Sequence, residues 1–291
     1  MIEEATPFDA PGAFGMTLHG LSWSTTGVPF VMLHGFGNDA HIWEEFAPEV
    51  APYYRTLALD LRGHGDSAHD PEQRYDYPYH VADLENATAA LQIDRLVLVG
   101  HSFGGRVATL FAEKHSERLA GLVIVDSGPE FDQRGTSRIR TETERHRQRE
   151  ESFSSVAEYE DVMARAYPAA SRKTVRRLAA HGLRRRGDGR FERKTDPRFH
   201  AGRSGLSEAE QEARSAEMTA TLWTALEKIP CPTLVVRGAA SDVLAAETAD
   251  RMVEVLPEGS LEIVPRASHS VMTDNPEGFA EAVTRFALGD G

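Results

Sequence analysis

Residues 95–105 read RLVLVGHSFGG, and this stretch decides the fold of the chain. The apolar run Leu96–Val99 has the character of a buried strand, and a helix-like segment follows the turn. Between them lies the pattern G-x-S-x-G, from Gly100 to Gly104, with Ser102 at its centre. Glycines on both sides permit a turn in which the serine is strained and its hydroxyl stands clear of the sheet. Taken alone, the pattern also fits a glycine-rich turn with a surface serine.

Other apolar runs alternate with helical segments along the chain. Buried-strand patterns occupy 28–33, 56–59, 121–126, 232–238 and 260–264, and helices are predicted at 40–50, 78–92, 246–256 and 277–286. This alternation predicts a mostly parallel sheet with helices on both faces. Such sheets carry their sites at the carboxyl ends of the strands. The polar residues at or just beyond those ends are His34, Asp60, Ser102 and Asp126.

The alternation stops between about residues 131 and 221, where several helical segments occur without a strong strand. We therefore predict an α/β core from residues 1–128 and 222–291, with a helical cap from 129–221 inserted into it. Residues 131–214 hold 18 Arg and 2 Lys against 14 Asp and Glu, a local charge of about +6. Because the whole chain carries −13, the remainder carries about −19. A solvated helical surface with i,i+4 ion pairs accounts for such a segment.

Five short motifs resemble those of capped α/β-hydrolases. Each is weak alone, but they occur in the family's order and spacing: His34–Gly37, Gly63–Ser67, Gly100–Gly105, Gly238–Asp242 and Ala267–Ser270. The resemblance implies a mostly parallel eight-stranded sheet with helices on both faces and an inserted cap. It also sets aside the dehalogenases and epoxide hydrolases of the family, which use an aspartate where this chain has Ser102.

The resemblance also suggests the partners of Ser102. Serine is a weak nucleophile at neutral pH and needs a base within hydrogen-bonding reach. His269 lies after the last predicted strand, where the family keeps that base, and an acid must hold its tautomer. Asp242 follows strand 232–238, the usual family position, whereas Asp126 ends the strand after Ser102, a position that some members use. The chain order expected of the fold favours Asp242, so Asp242→Asn should abolish turnover and Asp126→Asn should be milder.

The remaining site residues are expectations of two kinds, the oxyanion donors from the resemblance and the substrate contacts from the residues themselves. An oxyanion needs two preorganised N–H donors, and the resemblance assigns them to the backbone of Phe36 and Phe103. Candidate substrate contacts are Trp43 and His34, although the position of His34 inside a loop motif favours a structural role for it. Arginine binds carboxylates through two parallel hydrogen bonds, so Arg186 and Arg190 are candidates for a substrate carboxylate.

Composition narrows the class of protein. The net charge of −13 argues against a nucleic-acid partner. The single cysteine, Cys231, fits a reducing compartment. The N-terminus has no apolar leader and no run approaches a membrane span, so we expect a cytoplasmic protein without a membrane partner, as monomer or homodimer. No metal-site spacing, Walker loop or dinucleotide motif occurs, so no metal and no cofactor are expected.

These observations predict a serine hydrolase that transfers the acyl group of a small carboxylic ester or lactone, with or without a carboxylate, to water. Hydrolysis of a C–C bond or an amide by the same residues is the alternative within enzymes. A ligand receptor on the same fold is the alternative of another class, and loss of a site residue would favour it. Fold alone does not decide between them.

Overall fold

The computed structural model describes residues 4–132, 135, 152–199 and 206–289. Its largest element is an eight-stranded sheet in the order β1-β2-β4-β3-β5-β6-β9-β10. The strands are β1 (Thr6–Pro11), β2 (Thr17–Ser22), β3 (Val28–Leu33), β4 (Tyr54–Leu59), β5 (Leu96–His101), β6 (Leu119–Val125), β9 (Thr233–Gly238) and β10 (Gly259–Val264). Strand β2 runs antiparallel to both β1 and β4, and the other neighbours are parallel. The predicted mostly parallel eight-stranded sheet is confirmed.

Helices cover both faces of this sheet. They are α1 (Ala47–Val50), α2 (Tyr77–Ala90), α3 (Phe103–Lys114), α7 (Ala246–Val255), α8 (Val271–Asp274) and α9 (Pro276–Leu288). Every residue of β5 and β9 is buried, because strands of a parallel sheet are covered on both sides. One core cluster includes Leu84, Phe111 and Trp223, and the cluster on the other face includes Trp43 and Phe279.

The segment between β6 and β9 carries its own elements, and we call its described residues, 152–199 and 206–221, the inserted segment. It contains α4 (Val156–Ala166), α5 (Arg172–His181), the antiparallel hairpin of β7 (Leu183–Arg185) and β8 (Phe191–Arg193), and most of α6 (Glu208–Glu227). Helix α6 runs across the predicted core boundary at residues 221 and 222 and places Leu226 in the core. Within the described ranges, every helix is too short or too polar to cross a bilayer.

One predicted helix differs from the structure. Residues 40–50 form a 3-10 turn at Ala40–Trp43 and then the short helix α1, rather than one continuous helix. Pro48 lies in the first turn of α1, where the lack of an N–H costs nothing. A proline cannot continue a helix that started at residue 40 without losing a hydrogen bond. The 3-10 turn begins after Asp39, whose carboxylate accepts a hydrogen bond from the His41 N–H at 3.0 Å.

Candidate active site

Ser102 occupies the turn between β5 and α3, with φ of 52° and ψ of −114°. A positive φ is uncommon for a residue with a side chain and marks strain. The flanking glycines are required by close packing. A Cβ on Gly100 would lie 2.4 Å from the Gly104 carbonyl oxygen, and one on Gly104 would lie 2.5 Å from the His34 carbonyl oxygen. The chain therefore holds the Ser102 hydroxyl at the carboxyl end of the sheet.

Ser102, His269 and Asp126 form one hydrogen-bonded line. The Ser102 hydroxyl oxygen lies 2.9 Å from Nε2 of His269. On the other side of the ring, Nδ1 lies 2.8 Å from Oδ2 of Asp126. Asp126 is fully buried, whereas Ser102 and His269 are partly exposed. This arrangement leaves one end of the line open to a substrate and keeps the carboxylate in the interior.

The carboxylate partner of His269 corrects the preference for Asp242. Strand β6 lies between β5 and β9 in the sheet, so Asp126, at its end, lies beside the ends of both neighbours. Its N–H donates to the Val236 carbonyl at 2.7 Å. Asp242 belongs to the loop after β9, but that loop turns the preceding residue, Ser241, toward Asp126 instead. The position of Asp126 between the ends of β5 and β9 therefore makes it the carboxylate that binds His269.

Two donors hold the Asp126 carboxylate besides His269. The Gly238 N–H donates to Oδ1 at 3.1 Å, and the Ser241 hydroxyl donates to Oδ2 at 2.6 Å. The Ser241 oxygen in turn accepts from the N–H groups of Val243 and Leu244, each at 3.1 Å. The motif at Gly238–Asp242 therefore contributes to the site through Ser241 and backbone, a role that the sequence analysis missed.

The histidines of the first and third motifs hold loops together. His34 is fully buried, donates from Nδ1 to the Gly35 carbonyl at 2.7 Å and accepts at Nε2 from the Leu61 N–H at 2.9 Å. His101 donates from Nε2 to the His269 carbonyl at 2.9 Å. Burial lowers the pKa of both rings, that of His101 well below its usual value, so both stay neutral. The structural alternative for His34 is the one that its contacts favour.

The loop that contains Phe36 lies directly against Ser102. A Cβ on Gly35 would lie 3.1 Å from Cβ of Ser102 and 2.7 Å from Nδ1 of His101. Phe103 is the first residue of α3, and N–H groups in the first turn of a helix have no partner within the helix. Phe36 follows Gly35 and Phe103 follows Ser102, so both backbone N–H groups belong to segments that lie at the serine.

The end of the inserted segment packs on these two phenylalanines. The ring of Phe199 lies 5.1 Å from that of Phe36 and 5.5 Å from that of Phe103, measured between centroids. It also stacks on Tyr75 at 4.8 Å. The buried Phe199 therefore joins one aromatic cluster with Phe36 and Phe103, and no sequence pattern indicated this contact.

The other candidate substrate contacts lie elsewhere. Trp43 is fully buried against Phe279, with ring centroids 6.1 Å apart. Arg186 and Arg190 are exposed at the tip of the β7–β8 hairpin. Their partners are also at the surface: Asp188 and Glu192 for Arg186, and Ser152 for Arg190. These contacts fit a solvated, ion-paired surface and do not place either guanidinium beside Ser102.

Two groups of potential metal ligands occur in the described part of the chain, at His19, Asp60 and Asp66 and at His41, Glu44 and His181. In the first group, Asp60 is already used by the fold, since it accepts from the Ala40 N–H at 2.6 Å and the Asp66 N–H at 2.9 Å and pairs with His19 at 2.8 Å. The second group joins distant parts of the sequence, and for that reason no spacing motif reveals it.

Comparison with known proteins agrees with this architecture. The model of the alpha/beta hydrolase family matches residues 30–282. Pimeloyl-[acyl-carrier protein] methyl ester esterase of Edwardsiella ictaluri is 28% identical over 92% of this chain and 98% of its own length. 2-Hydroxymuconate semialdehyde hydrolase of a Pseudomonas species is 26% identical over 90% of this chain and 88% of its own. The crystal structure of E-2-(acetamidomethylene)succinate hydrolase superposes with a TM-score of 0.83 at 23% identity, covering 98% of this chain and 100% of that one.

Proposed function

The chain belongs to the alpha/beta hydrolase family, and on that premise we propose that it hydrolyses a small carboxylic ester or lactone through an acyl-enzyme on Ser102. Relatives of this chain act on esters, and others on C–C or amide bonds, so hydrolysis is the common chemistry. The single observation that carries the proposal is the hydrogen-bonded line from Ser102 through His269 to Asp126.

In the proposed mechanism, the Ser102 oxygen attacks the ester carbonyl while Nε2 of His269 takes the hydroxyl proton. Asp126 keeps the Nδ1 proton in place and stabilises the imidazolium that forms. The backbone N–H groups of Phe36 and Phe103 are the proposed donors to the oxyanion, each worth about 3 kcal/mol in the transition state. His269 then protonates the leaving alcohol. Water, activated by the same ring, attacks the acyl-enzyme and releases the acid.

The apolar side chains of Phe36 and Phe103, whose backbone N–H groups are the proposed oxyanion donors, support an ester with an uncharged acyl or alcohol group next to the carbonyl. A carboxylate on the substrate has weaker support, because Arg186 and Arg190 pair at the surface. A C–C or amide hydrolase with the same three residues is the second candidate, favoured by the 2-hydroxymuconate semialdehyde hydrolase among the relatives. A receptor without turnover fits less well, since a ligand-binding role does not require this line of hydrogen bonds.

The test combines covalent labelling with turnover. A fluorophosphonate probe should modify Ser102, located by peptide mass spectrometry, and p-nitrophenyl acetate and butyrate should be hydrolysed. Ser102→Ala should lower kcat by about 10⁴-fold or more, because the nucleophile has no substitute. Ser260→Ala, at an exposed serine on β10, is the matched control and should behave as wild type.

Three results would contradict parts of this proposal. Wild-type turnover by Ser102→Ala would remove Ser102 from the chemistry altogether. Labelling at Ser102 without ester turnover would move the assignment to C–C or amide bonds. If the probe does not label Ser102 and neither ester is hydrolysed, the ligand receptor is favoured.

A further inference from the structure

His41, Glu44 and His181 come together where the core meets the inserted segment. His41 lies in the 3-10 turn at Ala40–Trp43, and Glu44 follows that turn directly. His181 is the last residue of α5, in the inserted segment. One potential ligand atom from each residue lies within 4.8 Å of the other two. Two parts of the chain that are about 140 residues apart in sequence thus supply two imidazoles and a carboxylate to one place.

The two imidazole rings are stacked, with centroids 3.5 Å apart and planes at 18°. Two cationic rings at that separation repel each other strongly, so the stack needs at least one neutral ring, and a neutral imidazole has a lone pair free for a metal. Nδ1 of His41 contacts Oε1 of Glu44. All three side chains are partly buried. Two histidines and a carboxylate are a ligand set that suits Zn²⁺ and other first-row transition metals.

We propose that His41, Glu44 and His181 bind one divalent transition-metal ion, with Zn²⁺ the preferred ion, and that the ion fastens the inserted segment to the core. Ligand atoms of a tetrahedral zinc site lie about 3.4 Å apart, given metal–ligand bonds of about 2.0–2.1 Å. Side-chain rotation that brings the more distant pairs together by at most about 1.5 Å, separates Nδ1 of His41 from the Glu44 carboxylate, and turns the two rings out of their stack therefore completes the site. Water takes the fourth position. The proposal does not depend on ester hydrolysis.

The charges around the group are compatible with a bound cation. Nε of Arg177 lies 3.4 Å from Oε2 of Glu44 and would compete with the ion. Arg177 has a second partner, since its Nη1 lies 3.4 Å from Oε1 of Glu45. Lys194, whose charge also acts on His181, pairs with Asp66 at 2.5 Å. Glu44 can therefore bind a metal ion while Arg177 stays paired with Glu45 and Lys194 stays paired with Asp66.

The experiment measures zinc binding by the full chain after chelator treatment and removal of the chelator. Titration against a chromophoric zinc indicator gives affinity and stoichiometry, and Co²⁺ in place of Zn²⁺ gives visible absorption bands that report tetrahedral coordination. We expect one ion per chain in wild type. Loss of an outer-shell partner alone weakens metal sites by about 10–100-fold, so His181→Asn and Glu44→Gln, which remove direct ligands, should weaken binding by about 100-fold or more.

His115→Asn is the matched control, because His115 also pairs with a glutamate, Glu85, at 2.7 Å and at similar exposure. It should bind zinc as wild type does. Zinc should also raise the Tm of wild type and of this control but of neither ligand variant, since an ion that binds only the folded state stabilises it. Circular dichroism shows whether each variant folds. If His181→Asn does not fold, Glu44→Gln alone tests the site.

Failure of wild type to bind zinc would overturn the proposal. So would ligand variants that bind as tightly as wild type, because the ion would then sit at another of the chain's histidines. Ester turnover in the chelator-treated protein is measured separately, so that loss of activity and loss of the metal site are distinguished.

Discussion

At the scale of single residues, Asp126 combines an unusual backbone conformation with three hydrogen-bond partners on its carboxylate. It adopts a positive φ of 43°, which aspartate tolerates better than most residues because its short side chain bonds to nearby backbone. Its two oxygens accept from Gly238, Ser241 and His269. A carboxylate with this many donors has little rotational freedom, so the His269 ring that it holds is fixed in one orientation and one tautomer.

Asp126→Asn should therefore lower kcat by about 10³–10⁴-fold, because an amide can present its NH₂ to Nδ1 and stabilise the wrong tautomer. Asp242→Asn should stay within about tenfold of wild type, since that carboxylate does not hold the ring. This ranking reverses the one that the sequence favoured. Steady-state kinetics with p-nitrophenyl butyrate measures both variants. Comparable losses in the two variants would mean that the loop after β9 also positions the histidine.

Local sequence identifies Ser102 and His269, but it does not identify the acid. Ser102 is identifiable because a strained turn needs glycines in fixed places, and His269 because it follows the last strand. The acid is ambiguous, because two strands after Ser102 end in loops that contain an aspartate. Which carboxylate reaches the ring depends on strand order and on the path of one loop, and neither is local in sequence.

At the scale of elements, residues 194–199 fasten the inserted segment to the loop after β4. The Asp196 N–H donates to the Gly63 carbonyl at 2.8 Å, and the Tyr75 hydroxyl donates to the Asp196 carboxylate. Tyr75 also accepts from the Asp70 N–H at 3.0 Å. Burial and the Asp196 carboxylate raise the pKa of Tyr75, so it stays a donor over the working range. These bonds set the position of Phe199 over Ser102's neighbours.

Tyr75→Phe should lower the free energy of unfolding by about 1–3 kcal/mol, because a buried carboxylate loses a donor and a backbone N–H loses its acceptor. The aromatic stacking on Phe199 is retained in this variant. Urea denaturation gives the stability, and limited proteolysis reports whether the inserted segment opens. Tyr53→Phe, at an exposed tyrosine, is the control. Equal stability of the two variants would show that the hydroxyl contributes nothing to docking.

The elements also differ in how far sequence reveals them. The central strands follow from short continuous apolar runs bounded by turn residues, which are typical of strands covered on both faces. The β7–β8 hairpin was missed, since strands of three residues rich in arginine have no apolar alternation to detect. The break after the 3-10 turn that holds His41 has local signals instead, since Asp39 caps the turn and Pro48 cannot continue the predicted helix.

At the scale of the whole molecule, buried ionisable groups link stability to pH. His34, His80 and His101 are fully buried, and burial lowers the pKa of each below 6.5. In the unfolded chain these rings take up protons near pH 6.5, so the unfolded state binds up to three more protons as the pH falls. Stability contributed by these neutral rings is therefore present above pH 6.5 and is lost below it.

Asp39 acts in the opposite direction. Burial beside Asp60 raises the pKa of Asp39 to about 6, so the folded state keeps a proton there that the unfolded chain has released. Its contribution is present below the usual aspartate pKa and is lost as the pH rises to about 6. Two further histidines act in opposite directions, because the hydrogen bond to Asp60 raises the pKa of His19 and burial lowers that of His181. Between about pH 6.5 and 5.5, the three buried histidines therefore outweigh Asp39. The free energy of unfolding should fall by about 2–3 kcal/mol between about pH 6.5 and 5.5. Each extra proton bound by the unfolded state lowers it by about 1.4 kcal/mol per pH unit.

Urea denaturation at about pH 7.5, 6.5 and 5.5, in buffer with a chelator, measures this slope. Asp39→Asn keeps a cap for the 3-10 turn and removes the opposing proton, so the fall below pH 6 should steepen by about 1 kcal/mol per pH unit. A flat profile in wild type would mean that the three rings gain protons while the chain stays folded, which requires water to reach them. An unchanged slope in Asp39→Asn would mean that Asp39 ionises normally in spite of its burial beside Asp60.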